Sequence, residues 1–213
     1  MLNKKIKKQF RKGNKKELYK KNEEHFGKIT SHLYSFAVNL GFLKIHDFVY
    51  KDIIKNIKQN TKSILDIGCG NGLILKKLAE DKKTKNIRLY GIDPSEEMVK
   101  IAEKKLKKLN KKAVFKLGSS RLISFKRKFD IIYTTLSYHH WSKKEQAIPY
   151  ILSKLNKNGS FIIYEYNKNI GNKFTLMQGH KIDENEFEKL DFKKFKKIII
   201  KTQDIIKVEF KNI

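Results

Sequence analysis

Residues 63–72 read Ser-Ile-Leu-Asp-Ile-Gly-Cys-Gly-Asn-Gly, and this stretch decides the fold. Apolar residues lead to Asp66, and glycines then occupy every second position as far as Gly72. A buried parallel strand that ends in such a run turns tightly, because glycine permits unusual backbone angles and lets a ligand approach the main chain. The spacing of the apolar residues predicts a helix over residues 73–80, so the turn opens a helix whose N-terminal amides face that ligand. We therefore predict a nucleotide-type site at the carboxyl end of a first strand, although a sharp turn without a ligand remains an alternative.

The spacing of the glycines separates two nucleotide motifs. A dinucleotide fingerprint needs Gly-x-Gly-x-x-Gly, whereas the position three residues after Gly70 is Leu73. The chain instead has an acid inside the motif, followed by glycines at alternate positions, and this pattern resembles motif I of the class I S-adenosylmethionine (SAM)-dependent methyltransferases. The resemblance implies that the turn lies against the methionine end of the cofactor SAM: Asp66, Gly68, Cys69, Gly70 and Gly72.

The composition describes a globular protein of one domain with some chain left for an appendage. Of 213 residues, 39% are hydrophobic and 11% aromatic. No apolar run reaches the ~20 residues that span a bilayer, and the lysine-rich N-terminus lacks the apolar centre of a signal peptide, so we expect a cytoplasmic protein without a membrane span. The single cysteine, Cys69, excludes an internal disulfide and a cysteine zinc cluster, and we expect no metal.

The charge is strongly positive. The chain has 49 Lys and Arg against 22 Asp and Glu, a net charge of +27. Such an excess is typical of proteins that bind polyanions such as RNA, while lysine-biased coding of solvated surfaces is the alternative. Because lysine bias is usually matched by glutamate and here is not, we favour an anionic partner. Lysine attracts phosphates but cannot read bases, so the charge names no target.

The sequence divides into a basic N-terminal region, residues 1–58, and a methyltransferase-like domain, residues 59–213. Residues 1 to about 28 carry eleven Lys and Arg against three Glu and form an arm that contacts phosphates or is simply solvated. Residues 29–57 have the apolar spacing of one or two amphipathic helices with a break at Gly41.

A second strand, residues 87–93, ends in an acid about 25 residues beyond the glycine turn. A carboxylate at this position can accept both hydroxyls of a ribose. Pro94 follows, and Ser95 is a suitable N-cap for the next helix, in which Met98 begins the buried face. The sequence Asp93-Pro94-Ser95-x-x-Met98 resembles methyltransferase motif II, which implies that Asp93 holds the ribose and that Pro94 and Met98 lie beside the adenine.

The third strand, residues 113–117, is followed by Gly118, Ser119 and Ser120. The methyltransferase family usually has an aspartate directly after this glycine, where it bonds the adenine amino group. This chain has Ser119 there, so the resemblance leaves the adenine contact to the hydroxyl of Ser119 or of Ser120.

The fourth strand, residues 129–134, runs into a polar and aromatic loop that contains His139 and His140. In an open α/β sheet this loop faces the methyl donor, and Thr134 would line the same mouth. The stretch resembles motif IV of the type-11 (ubiquinone-biosynthesis-like) methyltransferases. Either histidine could take a proton from the acceptor, or the pair could be structural and fix the loop. Two adjacent histidines without a third ligand make a poor metal site.

Two motifs are absent from the fourth strand. It lacks the Asn/Asp-Pro-Pro-Tyr/Phe sequence of adenine-N6 and glutamine-N5 methyltransferases, and it lacks the Pro-Cys nucleophile of cytosine-C5 enzymes. These best-marked nucleic-acid chemistries are therefore excluded.

The remaining chain predicts a helix over residues 145–155 and a fifth strand over residues 160–166. An irregular loop, a short helix over residues 183–190 and a terminal antiparallel hairpin follow. With the first four strands this gives a Rossmann-like, seven-stranded class I methyltransferase fold, five strands parallel and a final pair reversed, preceded by a helical extension.

The sequence gives less information about the molecule that accepts the methyl group. The chain also resembles the carboxymethyl-uridine methyltransferases of the tRNA wobble position, which share a Gly-Cys-Gly-Asn-Gly turn, a His-His pair and a tyrosine-rich fifth strand. With the net charge of +27, this favours an RNA acceptor such as tRNA. A small molecule methylated on oxygen, nitrogen or carbon is the main alternative. A protein acceptor, and a SAM-binding module without activity, also remain, and the oligomeric state is open.

Overall fold

The computed structural model describes residues 43–107, 113–167, 181–182 and 185–212. The basic arm of residues 1–28, the break expected at Gly41 and most of the loop after the fifth strand lie outside these ranges. The first described element is helix α1 (Leu43–Asn56), within the helical extension expected over residues 29–57. Its residues Ile45, Val49 and Ile53 recur every four positions and are buried, which explains why it packs as a helix.

Strands and helices follow along the chain, at first in alternation. They are β1 (Ser63–Ile67), α2 (Leu73–Glu80), β2 (Arg88–Asp93), α3 (Glu96–Lys107), β3 (Ala113–Leu117), β4 (Phe129–Thr135), α4 (Lys144–Leu152), β5 (Leu155–Asn167), β6 (Lys181–Ile182), α5 (Asn185–Glu188), β7 (Phe195–Lys201) and β8 (Ile205–Asn212). Within the described ranges, no helix has the combined length and apolar character that a membrane crossing requires.

The strands form one sheet in the order β3-β2-β1-β4-β5-β8-β7, and the short β6 pairs with β5 beside this path. Strands β1 to β5 are parallel, and β8 is antiparallel to both β5 and β7. The predicted Rossmann-like α/β fold with a terminal hairpin is confirmed. The expected reversal of both last strands is wrong, because β8 inserts between β5 and β7 and only β8 runs against the others.

Both faces of the sheet are buried, as parallel sheets require. On one face β1 contributes Ile64, and α1, α2 and α3 pack over it. On the other face β1 contributes Leu65, and α4 and α5 pack over it together with Tyr138 and Trp141. The alternation of side chains along the central strands therefore directs successive residues to opposite packed layers.

The predicted boundary between the fourth large helix and the fifth strand is wrong. Helix α4 ends at Leu152 instead of Leu155, and β5 begins at Leu155 instead of Ser160. Leu155 pairs with Phe129 of β4, so its backbone joins the sheet before the register shift that follows. Asn158 adopts φ 61° within this strand, which absorbs the irregularity that the sequence predicts as a turn.

Helix α1 is tied to the sheet by buried polar contacts. The carboxylate of Asp52 accepts a hydrogen bond of 2.6 Å from the hydroxyl of Tyr164 on β5. The same oxygen of Asp52 lies 2.5 Å from the ammonium of Lys207 on β8, which is only 4% exposed. The helix before β1 is therefore bound to the middle and to the reversed part of the sheet.

Candidate functional site

The predicted site residues meet at the carboxyl edge of the parallel strands. The glycine turn follows β1, Asp93 ends β2, the serine pair follows β3 and the histidine pair follows β4. Strands β3, β2, β1 and β4 are neighbours in the sheet, so their ends lie side by side. This is the edge at which open α/β sheets bind ligands.

The glycine turn wraps over the end of β2. The amides of Gly68 and Cys69 both donate to the carbonyl oxygen of Ile92, at 2.8 and 3.0 Å. Gly68 has φ 74°, and a β-carbon there would collide with the hydroxyl of Ser137 from the loop after β4. A β-carbon on Gly70 would meet nothing within 4 Å, so the backbone at Gly70 faces open space. The turn thus brings together the ends of β2 and β4 and leaves an approach to its own main chain.

Asp93 joins the turn to the next helix. Its Oδ2 accepts from the amide of Gly70 at 2.8 Å, and its Oδ1 accepts from the amide of Ser95 at 2.8 Å. Burial raises the pKa of this carboxyl to about 6, while the two amide hydrogen bonds act to lower it. Each carboxylate oxygen has a second lone pair, so these bonds leave acceptor capacity for a ligand hydroxyl.

Asp66 is buried, and one oxygen of its carboxylate has no hydrogen-bond partner. The residue is 3% exposed, its Oδ1 has no partner, and the hydroxyl of Tyr133 on the neighbouring strand β4 lies close enough to affect the carboxyl. Burial raises the pKa of Asp66 to about 8, the nearby Tyr133 hydroxyl lowers it, and the charge of Asp93 raises it. Unpartnered buried polar atoms are uncommon in folded proteins and indicate a site where a ligand or water completes the hydrogen bonds.

Ser95, Met98 and the serine pair surround the end of β2. The amide of Met98 donates to the hydroxyl of Ser95 at 3.3 Å, which confirms Ser95 as the N-cap of α3, and Met98 is buried. The amide of Gly118 donates to the carbonyl of Asp93 at 3.1 Å, so the turn after β3 lies against the acid. Ser119 is half-buried and its hydroxyl accepts from the amide of Arg121 at 3.3 Å, while Ser120 is 3% exposed. Pro94 lies half-buried between Asp93 and the cap.

Two of the predicted cofactor residues make interior contacts. Thr134 is fully buried, and its hydroxyl donates to the carbonyl of Ile67 at 2.8 Å. Cys69 is 8% exposed, and burial raises the pKa of its thiol well above the usual value. A thiol held protonated in this way is a packing group and a poor nucleophile.

His139 forms a pair with an acid that the sequence analysis did not single out. His139 lies in a turn of 3₁₀ helix, Tyr138–His140, and its Nδ1 is 2.8 Å from Oε2 of Glu165 on β5. The amide of His139 also donates to Oε1 of this carboxylate at 3.3 Å, and Glu165 is fully buried. The ring centroids of His139 and His140 are 3.8 Å apart. An acid within the apolar run of residues 161–166 was the available signal for Glu165.

The loop that carries this pair is fixed from both sides. The amide of Leu136, at φ 50°, donates to the carbonyl of Tyr164 at 2.9 Å, and Nε1 of Trp141 donates to the hydroxyl of Ser137 at 3.2 Å. Because Ser137 also lies against Gly68, the histidine loop and the glycine turn share one packed contact. The role of Ser137 and Trp141 gave no signal in the sequence, since only their spatial neighbours reveal it.

The arrangement fits SAM. An unpartnered buried acid at the end of β1 could face the cationic methionine end, an acid with spare acceptor capacity at the end of β2 could face a ribose, and the backbone at Gly70 is open to approach. Among the described residues no group of three or more His, Cys, Asp or Glu could hold a metal ion.

Comparison with known families and proteins agrees with this geometry. The family model of a methyltransferase domain matches residues 58–207. The ubiquinone biosynthesis O-methyltransferase of Pelagibacter ubique is 30% identical over 166 residues, which cover 71% of this chain and 66% of that protein. An uncharacterised methyltransferase of Bacillus mycoides is 31% identical over 118 residues, covering 53% of this chain and 51% of that protein. The chain therefore spans about half to two thirds of the length of these curated relatives.

Solved structures share the fold. The plantazolicin methyltransferase BpumL, in complex with a triazolic desmethylPZN analog and SAH, has a TM-score of 0.71 and 18% identity, covering 87% of this chain and 91% of that one. BpumL in complex with SAH alone has a TM-score of 0.68 and 19% identity, covering 99% and 98%. A SAM-dependent methyltransferase from Aquifex aeolicus has a TM-score of 0.59 and 17% identity, covering 77% and 89%.

Proposed function

The chain belongs to the class I SAM-dependent methyltransferases of the type-11 kind, and on this premise we propose that it methylates a hydroxyl group of a small acceptor molecule. The observation that carries the proposal is the distance of 2.8 Å between Nδ1 of His139 and Oε2 of Glu165. A base is useful where the acceptor must lose a proton, as a hydroxyl does.

The cofactor side of the proposal assigns the residues of the carboxyl edge. Asp66 and the glycine turn would hold the methionine end, and Asp93 would accept the ribose hydroxyls. Four residues would lie beside the adenine: Pro94, Met98, Ser119 and Ser120. Bound SAM supplies an electrophilic methyl group on a sulfonium, which needs little covalent help, so the protein contributes alignment and exclusion of water.

The acceptor side rests on the histidine pair. The carboxylate of Glu165 can accept a hydrogen bond from Nδ1–H, and in that tautomer the ring carries its lone pair on Nε2. That tautomer can take the proton of an acceptor hydroxyl, and the buried carboxylate stabilises the imidazolium that forms. The backbone amide of His139 also donates a hydrogen bond to this carboxylate, which holds the carboxylate beside the ring. His139 would therefore act as the base, Glu165 would position it, and His140 would pack against it.

An RNA acceptor is the second candidate, and the net charge of +27 is the observation in its favour. Lysine attracts phosphates without selecting a base or an atom for methylation. The charge therefore supports RNA binding more directly than it supports RNA as the methyl acceptor. The small-molecule acceptor is preferred because a relative that is 30% identical to this chain is named a ubiquinone biosynthesis O-methyltransferase.

The test measures tritiated-methyl transfer from SAM into a panel of small phenols and catechols, and in parallel into fractionated RNA and protein. We expect label in the small-molecule pool. With the best acceptor, His139→Gln should lower kcat by roughly 10²–10⁴-fold, the usual contribution of a general base. Calorimetry should show SAM binding unchanged within about twofold, since the ring does not hold the cofactor.

Two further variants separate the roles of the neighbouring groups. Glu165→Gln keeps the shape of the side chain but removes its charge, so it should lower kcat. His140→Gln should cause a smaller loss of kcat. Label that enters only RNA would replace the proposed acceptor with the second candidate. A kcat that survives His139→Gln unchanged would remove the base from the mechanism.

A further inference from the structure

Part of the positive charge lies along one edge of the sheet, and the sheet topology places it there. In the described part of the sheet, the six adjacent strands β2, β1, β4, β5, β8 and β7 each carry a basic residue at the edge opposite the glycine turn. We call this row the basic edge, and its members are Arg88, Lys62, Lys128, Lys157, Lys211 and Lys196.

The strand registers bring these residues to one edge. Arg88 pairs with Ser63, which directly follows Lys62, and the amide of Arg88 donates to the carbonyl of Lys62 at 2.9 Å. Lys128 precedes Phe129, the first residue of β4. Lys196 near the start of β7 pairs with Lys211 near the end of β8, because these two strands run in opposite directions.

The side chains of the basic edge reach solvent. Arg88, Lys62, Lys128, Lys157 and Lys196 are exposed, and Lys211 is half-buried. At a strand spacing of about 4.8 Å, six strands place the row over roughly 25 Å. Such a row is long enough to follow many phosphates of one nucleic-acid backbone.

Two acids near this edge are engaged by the protein itself. The carboxylate of Asp130 accepts from the amides of Lys62 and Ser63 and from the side chain of Asn156, all within 2.6–2.9 Å. The carboxylate of Asp81 accepts from the hydroxyl of Tyr50 at 2.6 Å. Asp130 therefore binds the start of β1 to β5, Asp81 binds the end of α2 to α1, and both carboxylates are occupied within the protein.

The opposite edge has a different charge pattern. At the carboxyl edge the ends of β1, β2 and β5 carry the buried acids Asp66, Asp93 and Glu165, and Glu96 and Glu97 begin α3. Within the described ranges, buried acids therefore line the carboxyl edge, whereas the basic residues named above line the opposite edge. A polyanion bound to the basic edge would lie at the edge of the sheet opposite the histidine loop.

The chemistry of the basic edge indicates its partner. Single-stranded nucleic acid is usually bound on exposed aromatic rings, and a membrane surface on exposed apolar side chains. Among the described residues, the strongly exposed large hydrophobic side chains are Val114 and Ile200, and neither is aromatic. A row of exposed basic side chains instead matches the phosphates of a duplex, which RNA presents as a shape with little sequence information.

We propose that the basic edge is a docking surface for duplex regions of RNA, separate from the methyl-transfer site. The surface would hold the enzyme on structured RNA through phosphate contacts, whatever molecule accepts the methyl group. This inference goes beyond the proposed function and does not depend on its acceptor.

The test compares two triple variants of the full chain that remove the same charge. The first is Lys62→Gln, Lys128→Gln and Lys157→Gln on the basic edge. The control is Lys100→Gln, Lys143→Gln and Lys201→Gln, three exposed lysines on α3, before α4 and at the carboxyl end of β7. Binding to a labelled RNA duplex of about 16 base pairs, the length a dedicated duplex-binding domain spans, is measured from low to high salt.

We expect the basic-edge variant to bind the duplex at least tenfold more weakly and to lose about three units of salt slope, one for each phosphate contact removed. The control should keep the slope of the unmodified chain. Calorimetry with SAM and methyl transfer to the small acceptor should be unchanged in both variants, so failure of this inference is distinguishable from failure of the proposed function.

Other outcomes would overturn the inference. Equal losses in the two variants would mean that net charge alone attracts the RNA, and no binding by the unmodified chain would remove the partner. Tighter binding to a DNA duplex of the same length, or to phosphatidylserine vesicles, would assign the basic edge to that partner instead.

Discussion

Asp66 is an acid in a place where the folded protein favours its protonated form. Burial raises its pKa from the usual 3.8 to about 8. Between these values the folded protein holds a proton that the unfolded chain has lost, so the free energy of unfolding falls as the pH rises from about 4 to 8. A buried acid that destabilises the fold when ionised is worth retaining where a cationic ligand compensates for it.

Removing this carboxyl should flatten the pH dependence of stability. We expect Asp66→Asn to be more stable than the unmodified chain at pH 8, by an amount on the order of a few kcal/mol, and to differ little from it at pH 4. The measurement is urea denaturation of the ligand-free protein at intervals between pH 4 and 9. An equally steep decline in both proteins would show that Asp66 does not titrate in this range.

Gly68 is a second residue whose identity the structure demands. Its φ of 74° and the hydroxyl of Ser137 both oppose a side chain. Gly68→Ala should therefore cost about 1–3 kcal/mol in stability from the backbone strain, and more from the contact with Ser137. The double variant with Ser137→Gly should recover only the contact part, which thermal denaturation of the three proteins would resolve. Full recovery would contradict the assigned strain.

At the scale of elements, α1 depends on one buried ion pair. Asp52 receives the Tyr164 hydroxyl and the Lys207 ammonium, and Lys207 has little access to water. Asp52→Ala would leave the buried ammonium with only a longer contact of 3.7 Å to Glu209, and we expect a cost of roughly 3 kcal/mol in urea denaturation. The control is Asp47→Ala on the same helix, whose side chain is 43% exposed, so its ion pairs with Lys51 and Lys77 should contribute little. Similar losses from both variants would contradict this difference.

The elements were predictable from sequence wherever one local rule decided them. Helix α2 has the predicted bounds, and Ser95 caps α3 as expected, because glycine turns and side-chain caps act within a few residues. The start of β5 was not predictable, because Leu155 joins the strand through pairing with Phe129, 26 positions away. The order of the last two strands was not predictable for the same reason, because the sequence of a hairpin does not tell which of its two strands pairs with a neighbouring strand.

The same distinction applies to the residues of the site. The glycines, acids and histidines at the strand ends were predictable, because each belongs to a short motif whose spacing sets its position. Glu165 falls within the predicted fifth strand, but the sequence assigns it no role, because its partner His139 lies 26 residues earlier and only the pairing of β4 with β5 brings them together. The sequence also assigns no role to Tyr133, because this residue lies within the apolar run of the fourth strand.

For the whole molecule, the ligand should act as part of the fold. A ligand that binds only the folded state stabilises it by about 2.7 kcal/mol at a hundred times its Kd. For a domain of this size the shift in Tm should be roughly 5–10 °C. We expect SAM and SAH both to raise Tm, and Asp93→Ala to abolish the increase because the ribose contact is lost. A shift that survives in Asp93→Ala would place the ribose elsewhere.

The insertion of β8 between β5 and β7 sets an order of events during synthesis. While the ribosome has made the chain only as far as β7, one side of β5 has no permanent neighbour, and β7 has none at all. The last strand to emerge supplies both pairings at once. A nascent chain should therefore remain dependent on chaperones, and open to wrong strand pairing, until about residue 212 has left the exit tunnel.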